Sequence, residues 1–262
     1  MVTITVLNDN TPGRGMLSEH GLSFHIQTDD RKILLDAGPG DVFKKNADKL
    51  GIDLYDIDAV VLSHGHWDHG NGFKYLPSLP LYAHPAVFKK RYHKERNEDY
   101  VGLDFNRADF EERFDLHITD KPFQLGRNIW FLGEIPRLNK FESKSTAFID
   151  DAGTEDYIPD DTGVAVRTKG GLIVISGCAH AGIVNTINHA QKVTGIEKVR
   201  AVMGGFHLKK ADEVTRQTIR EIKQLDIKEV YPSHCTDLPA LAMFFNTFGM
   251  NQVRTGDVLT FE

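Results

Sequence analysis

Cysteine is nearly absent from this 262-residue chain, which has only Cys178 and Cys235. Two thiols so far apart in sequence make no disulfide framework, which argues against a small secreted scaffold and for a reducing cytoplasm. No uninterrupted apolar stretch approaches the length of a membrane span, so no membrane partner is expected. The opening Met1-Val2-Thr3-Ile4-Thr5-Val6 alternates like a strand and has neither the basic start nor the apolar run of a secretory leader. Excess positive charge is missing too: the formal net charge is -6, which gives no electrostatic footprint for nucleic acid. What the chain does have is 40% hydrophobic residues, enough to bury a full core without staples.

One stretch organises the rest. Val60-Val61-Leu62-Ser63 is a short β-branched run, and it ends in His64-Gly65-His66-Trp67-Asp68-His69-Gly70. The run reads as a buried strand and the histidines as the loop at its carboxyl end. On a helix, His64 and His66 would point roughly 200° apart. On an extended backbone, side chains two apart share a side and can share an ion. Asp68 and His69 then face a neighbouring position, and Asp68 is also placed to cap a helix over residues 70–75. Packing three imidazoles and a carboxylate together without a cation costs desolvation and mutual repulsion on protonation, so the cluster is read as a metal site. Its nitrogens and carboxylate oxygen suit one or two divalent ions, zinc first, with iron or manganese as the other candidates.

Around this stretch the chain alternates strands and helices. Strands are expected at 2–7, 24–26, 32–35, 81–83 and 123–132, with a mobile loop over 8–17 and a helix over 41–50. His84-Pro85 opens a charged helix through Glu95, with His84 and His93 as surface or capping residues. Residues 97–122 lack periodicity and read as a lid-like insertion near the cleft, and 150–161 as an acidic loop. A hairpin spans 163–176, followed by helices over 183–193, 212–225 and 238–248 separated by strands at 199–203 and 229–231. In the last helix Leu241, Phe244, Phe245 and Phe248 are taken as core. Three further histidines, His180, His207 and His234, sit where strands end, so they can converge with His64–His69. His25, His117 and His189 are read as structural.

The pattern His-x-His-x-Asp-His resembles the signature of the metallo-β-lactamase superfamily. Glu19-His20-Gly21-Leu22-Ser23, Gly133-Glu134-Ile135-Pro136-Arg137, Gly177-Cys178-Ala179-His180, Gly204-Gly205-Phe206-His207-Leu208 and His234-Cys235-Thr236 are similar to motifs of one of its subfamilies. That group is typified by archaeal 7,8-dihydropterin-6-ylmethyl-4-(β-D-ribofuranosyl)aminobenzene 5′-phosphate synthase of methanopterin biosynthesis. The resemblance implies an α/β fold, the four-layer αββα metallo-β-lactamase sandwich, as a single domain over 1–262. It implies His64, His66 and His180 around one ion and Asp68, His69 and His234 around the other, with Asp36 orienting a ligand histidine from behind. Hydrolases of the superfamily carry a Gly-His-Thr ligand and a Gly-Asp bridge where this chain has Asp160-Asp161-Thr162 and Gly177-Cys178. Either Cys178 or Asp161 is therefore a candidate to replace or bridge ligands, or Cys178 lies just behind them. Asp237 also stands where the subfamily usually has glycine.

The implied activity is a transferase that couples a pterin-methyl diphosphate to a ribosyl-aminobenzene phosphate with release of diphosphate. Asp68 and His207 are the catalytic candidates, and His20, Glu134 and Arg137 the substrate-binding ones. Arg137 is suited to phosphate, Glu134 to a pterin edge, and Phe141 or Phe206 to stacking. Two alternatives stand beside it: a metal-dependent hydrolase of a phosphoester or related small substrate that works with hydroxide held by the metal, and a metal- or cofactor-binding protein without turnover.

Overall fold

Two β-sheets face each other across an apolar seam in the computed structural model, which describes residues 1–250 and 252–262, and residues 96–98 by their backbone alone. The first half of the chain contributes β1 (Val2–Asn8), β2 (Ser23–Gln27), β3 (Lys32–Leu35), α1 (Val42–Leu50), β4 (Ala59–Val61), α2 (Trp67–Gly70), β5 (Pro80–Ala83), β6 (Arg91–His93), β7 (Arg96–Tyr100), α3 (Arg107–Arg113) and β8 (Asp115–Ile118). The second contributes β9 (Phe123–Gly126), β10 (Ile129–Phe131), β11 (Phe148–Asp150), β12 (Gly163–Thr168), β13 (Gly171–Ser176), α4 (Ile183–Thr194), β14 (Val199–Gly205), α5 (Glu213–Gln224), β15 (Glu229–Ser233), α6 (Leu238–Phe248) and β16 (Val258–Phe261). The seven-stranded sheet runs β16-β1-β2-β3-β4-β5-β8 and the six-stranded one β15-β14-β13-β12-β10-β9. A third, small sheet runs β11-β6-β7.

The layering follows from side-chain alternation. In β13, Ile173 and Ile175 point into the seam with Ile4, Val6, Phe24 and Ile33 of the opposite sheet, while Leu172 and Val174 meet Ile187, Ile219 and Phe244 of the outer helices. Every residue of β13 is buried, as expected of a strand covered on both faces. Each isoleucine in the seam stabilises by about 2 kcal/mol. The other outer face packs Leu34, Val60 and Leu62 against Phe43, Phe73 and Phe110. Helix, sheet, sheet, helix is the αββα order implied by the resemblance.

Each sheet is antiparallel on one side and parallel on the other: β3-β4-β5-β8 run parallel in one, β13-β14-β15 in the other. Parallel neighbours present their carboxyl ends on one edge, and from that edge come Asp36, the 64–69 segment, Cys178, His180, His207 and His234. Among the described residues seven non-glycines have positive φ. Four of them, Asp36, Ala179, His207 and His234, sit on this edge, where the backbone reverses sharply to aim side chains inward.

Several local expectations are corrected. Residues 84–95 form no long helix: a 3-10 turn over Pro85–Phe88 leads into β6, where Arg91 finds buried carboxylates that no helix would reach. The segment 97–122, whose first side chains lie outside the described residues, is not irregular. Phe110 of α3 is buried in the outer core and β8 pairs with β5 in the large sheet. The loop over 8–17 is held rather than mobile at its start, because Asn8 and Asp9 are buried and Asp9 N donates to Thr255 Oγ1. Of the four α6 residues expected in the core, Phe244 is fully buried, Leu241 and Phe248 are partly so, and Phe245 is exposed.

Candidate metal centre

Ser63 and Gly65 hold the histidine segment in shape. Ser63 N donates to Asp36 Oδ1 at 2.8 Å, which ties the end of β4 to the end of β3. Gly65 N donates to Asp160 Oδ2 at 2.7 Å, and a Cβ at Gly65 would fall 1.9 Å from Val87 O, so only glycine passes between His64 and His66. His66 is extended, and the single turn of α2 then carries Asp68 and His69. The expected helix cap is thereby corrected: Asp68 lies inside the first turn, and residues 71–75 form a 3-10 helix.

The hydrogen bonds settle which ring nitrogens carry lone pairs. Asp36 Oδ2 is 2.7 Å from His69 Nδ1, and a carboxylate there accepts a hydrogen bond from Nδ1, leaving Nε2 bare in the neutral ring. The same oxygen accepts the Ser63 hydroxyl at 2.7 Å. With its proton so committed, Ser63 Oγ accepts from His64 Nδ1 at 2.9 Å, which bares His64 Nε2 as well. On the far side, Asn10 Nδ2 donates to His234 O and Asn10 Oδ1 accepts from Gly21 N, so the oxygen is the atom 3.0 Å from His234 Nδ1. His234 Nε2 is therefore bare too. It lies 3.0 Å from His69 Nε2, with Asp68 Oδ2 3.4 Å and 3.9 Å from the two nitrogens and Cys178 Sγ 3.3 Å from His69 Nε2.

With both rings neutral two lone pairs would face each other at that distance, so either a proton on His69 or a cation lies between them. Nearby, His64 Nε2 is 3.0 Å from His66 Nδ1, while His66 Nε2, His180 Nε2 and Asp161 Oδ1 are buried without a hydrogen-bond partner. The donor atoms of His64, Cys178 and His180 lie within 4.8 Å of one another, as do those of His69, Cys178 and His234. The residues fit divalent metal: nitrogen, sulfur and carboxylate donors, lone pairs inward, orphaned in the absence of an ion.

Burial and neighbouring charge set the protonation of these rings in opposite directions. Burial pushes the pKa of His64, His66 and His180 well below the ordinary range, and that of His207 and His234 down to about 4, keeping these rings neutral. His69 goes the other way: burial opposes its charge, but the Asp36 and Asp68 carboxylates outweigh it and raise it to about 9. Burial raises Asp161 to about 7.

The structure brings His64, His66, Asp68, His69, His180 and His234 together. His207 joins them, its ring 4.4 Å from that of His180, and Cys178 projects its sulfur into the cluster rather than standing behind it. His20 is at the exposed rim, with Nε2 3.3 Å from Asp68 Oδ2. Asp161 Oδ2 is occupied by Ala181 N. Glu134 Oε2 faces His84 Nε2 at 3.5 Å, and His84 is a buried cap rather than a surface residue. Arg137 donates from Nε to Ser143 Oγ and from Nη2 to the carbonyls of Tyr157 and Ile158, so part of its guanidinium braces the 141–158 strap. That strap lays Phe148 against the cluster, its ring 4.7 Å from His66 and 5.5 Å from His180. Behind it opens a cavity of about 300 Å³ lined by Phe141, Lys144, Phe148, His180, Phe206 and His207. Ser63, Asn10 and the Arg91–Asp160 pair were not foreseen. Only the position of Ser63, directly before the first histidine, was a signal.

This sandwich with histidines gathered at the carboxyl ends of two parallel strand sets defines a class, and the family model of the metallo-β-lactamase superfamily matches residues 19–234. The chain belongs to that superfamily. It is 33% identical, over 93% of its length and 90% of the relative's, to 7,8-dihydropterin-6-methyl-4-(β-D-ribofuranosyl)-aminobenzene-5′-phosphate synthase of Methanocaldococcus jannaschii. A solved structure of a metal-dependent hydrolase of the β-lactamase superfamily superposes with a TM-score of 0.87 at 30% identity, covering 100% of this chain and 99% of that one. A diphosphatase from the PhnP family shares the fold, with a TM-score of 0.56 at 19% identity over 100% and 98% of the two chains.

Proposed function

We propose that this protein is a metal-dependent transferase that joins a pterin-methyl diphosphate to a ribosyl-aminobenzene phosphate. The observation that carries the metal half of this reading is the convergence of donor atoms in two groups, His64–Cys178–His180 and His69–Cys178–His234, each within 4.8 Å. His64, His66 and His180 would hold one ion and Asp68, His69 and His234 the other, with Cys178 reaching both groups. Zinc suits this nitrogen–sulfur–carboxylate set, and iron or manganese are the other candidates. When bound, such ions supply concentrated positive charge for phosphate oxygens.

The chain's own groups do the rest. Phe141, Phe148 and Phe206 wall a cavity that admits a flat ring edge-on to the histidines. Lys144 lines the cavity, its Nζ donating to Asn139 O at 2.9 Å, and would supply counter-charge for a substrate phosphate. In coupling, a C–N bond forms at the pterin methylene, the C–O bond to diphosphate breaks, and the arylamine loses a proton. His207, kept neutral by burial, is placed to take that proton. His20 beside Asp68 is placed to donate to departing diphosphate oxygens.

The 33% identity to the M. jannaschii synthase supports this chemistry over others on the same fold. The test is to incubate metal-replete protein anaerobically with both substrates and assay coupled product and diphosphate. Coupling that is lost in His207→Ala is expected, and no coupling by the intact protein rejects the transferase reading. The structural relative described as a hydrolase favours a second reading, hydrolysis of a phosphoester at the same histidines. Turnover of a generic phosphodiester that disappears in His66→Ala would select it.

A further inference from the structure

Cys235 has no part in the chemistry proposed for the cluster, yet it is placed with unusual economy. It follows β15 and Cys178 follows β13, and the two strands are separated in the sheet by β14. Strands two apart stand roughly 9–10 Å from each other, too far for cysteine side chains to meet across an ordinary middle strand. Here the middle strand ends in Gly204-Gly205. A Cβ at Gly205 would fall 2.6 Å from Cys235 Sγ and 3.1 Å from Cys178 Cα, so both cysteines close over the last residue of β14, which carries no side chain. Cys235 Sγ reaches the Cys178 carbonyl at 3.6 Å, and the thiols are direct side-chain neighbours. Both are free and buried. The three strand ends are pinned together by Gly205 N to Gly177 O and by Phe206 N to Thr236 Oγ1, each at 3.0 Å, so the thiols do not depend on a mobile loop to find one another.

We propose that Cys178 and Cys235 are a modification site: a thiol pair that peroxide closes to a disulfide and a dithiol reopens. Cys235 sulfur attacks a peroxide oxygen, the O–O bond breaks, and water (or an alcohol, from an organic peroxide) leaves a sulfenic acid. Cys178 sulfur then attacks that sulfur, the S–S bond forms, and a second molecule of water leaves. Two electrons pass from the thiols to the peroxide. Cys178 Sγ is also the atom 3.3 Å from His69 Nε2 and the donor shared by both ligand groups. Closing the disulfide therefore withdraws it from the cluster. That consequence rests on the metal reading, whereas the disulfide rests on the thiol geometry alone.

The experiment treats metal-free full-length protein with hydrogen peroxide, then counts thiols and maps peptides. Loss of both thiols together, one joined peptide pair containing Cys178 and Cys235, and recovery with dithiothreitol are expected. Cobalt(II) added to the reduced protein should give a sulfur-to-cobalt charge-transfer band that the oxidised protein lacks, and zinc loaded beforehand should slow the loss of thiols. In Cys235→Ser the band should persist and the joined pair vanish. Thiols that survive peroxide, or that gain oxygen separately as sulfinic or sulfonic acids with no joined peptide, would overturn the proposal. A disulfide that forms while the cobalt band is absent even from the reduced protein would leave the proposal standing and reject Cys178 as a metal donor.

Discussion

Asp36 governs two imidazoles with one carboxylate. It accepts a hydrogen bond from His69 Nδ1 directly and, through the Ser63 hydroxyl, fixes that of His64, so both Nε2 lone pairs point into the cluster. Asp36→Asn keeps the volume but brings an amide donor that competes for these positions and lowers the basicity of His69. The expected result is a zinc affinity weaker by about 10–100-fold with little change in thermal stability of the metal-free protein, read by chelator competition and melting. Ser63→Ala should weaken zinc less, because His69 keeps its carboxylate. At this scale the sequence was informative about ligands and nearly silent about their supports. Six donors were legible because histidines recur at strand ends around a dense His/Asp segment. Asn10 was not: an amide in a glycine- and proline-containing loop gains its meaning only when β15, more than two hundred residues later, brings His234 to it. Arg137 shows the matching limit, since a guanidinium in a cleft motif reads as an anion site and nothing local reveals the carbonyls of Tyr157 and Ile158 that its Nη2 meets.

Among the elements, β6 shows how a local pattern can hide a structural anchor. Arg91 is fully buried, and it pairs with Asp156 and Asp160 while Asp160 also receives Gly65 N. One guanidinium thus ties β6, the 156–161 loop and the histidine segment together. Its neighbourhood in sequence is charged, so it resembles the exposed face of a helix, and nothing local tells which charge is buried. Arg91→Met leaves two buried carboxylates unpaired and is expected to destabilise by about 3–5 kcal/mol, with part of the loss restored when Asp156 and Asp160 are changed to asparagine. Denaturant midpoints of the three variants check this. On β2, burial pushes His25 down to about 4 from an unfolded value near 6.5. The unfolded chain therefore binds the extra proton between those values, so stability is fully present above pH 6.5 and is lost as pH falls toward 4. His25→Gln should remove about 2–3 kcal/mol of that slope in urea titrations across this window.

At the scale of the whole molecule, the cluster is a seam between the two sheets. The 64–69 segment and Asp36 belong to the seven-stranded sheet, and Cys178, His180, His207 and His234 follow strands of the six-stranded one. The layered architecture was legible through the family motif and the succession of strands and helices, but the meeting of the halves depends on register between strands far apart in sequence, which no local pattern encodes. Ions held by donors from both halves bind the folded chain and not the unfolded one, so they add stability as the logarithm of their concentration over the dissociation constant, about 4 kcal/mol at a thousandfold excess. Dialysis against a chelator should lower the melting temperature and leave a single transition, because the shared apolar seam still couples the sheets. Zinc added back should restore the higher temperature in proportion to the logarithm of its free concentration. Removing one donor from either side, by His64→Ala or His234→Ala, should reduce the zinc-dependent shift to a similar degree. Calorimetry at several zinc concentrations decides the matter: a melting temperature indifferent to chelator and to added metal would mean that the facing nitrogens hold no ion, and the shared centre between the sheets would fall with it.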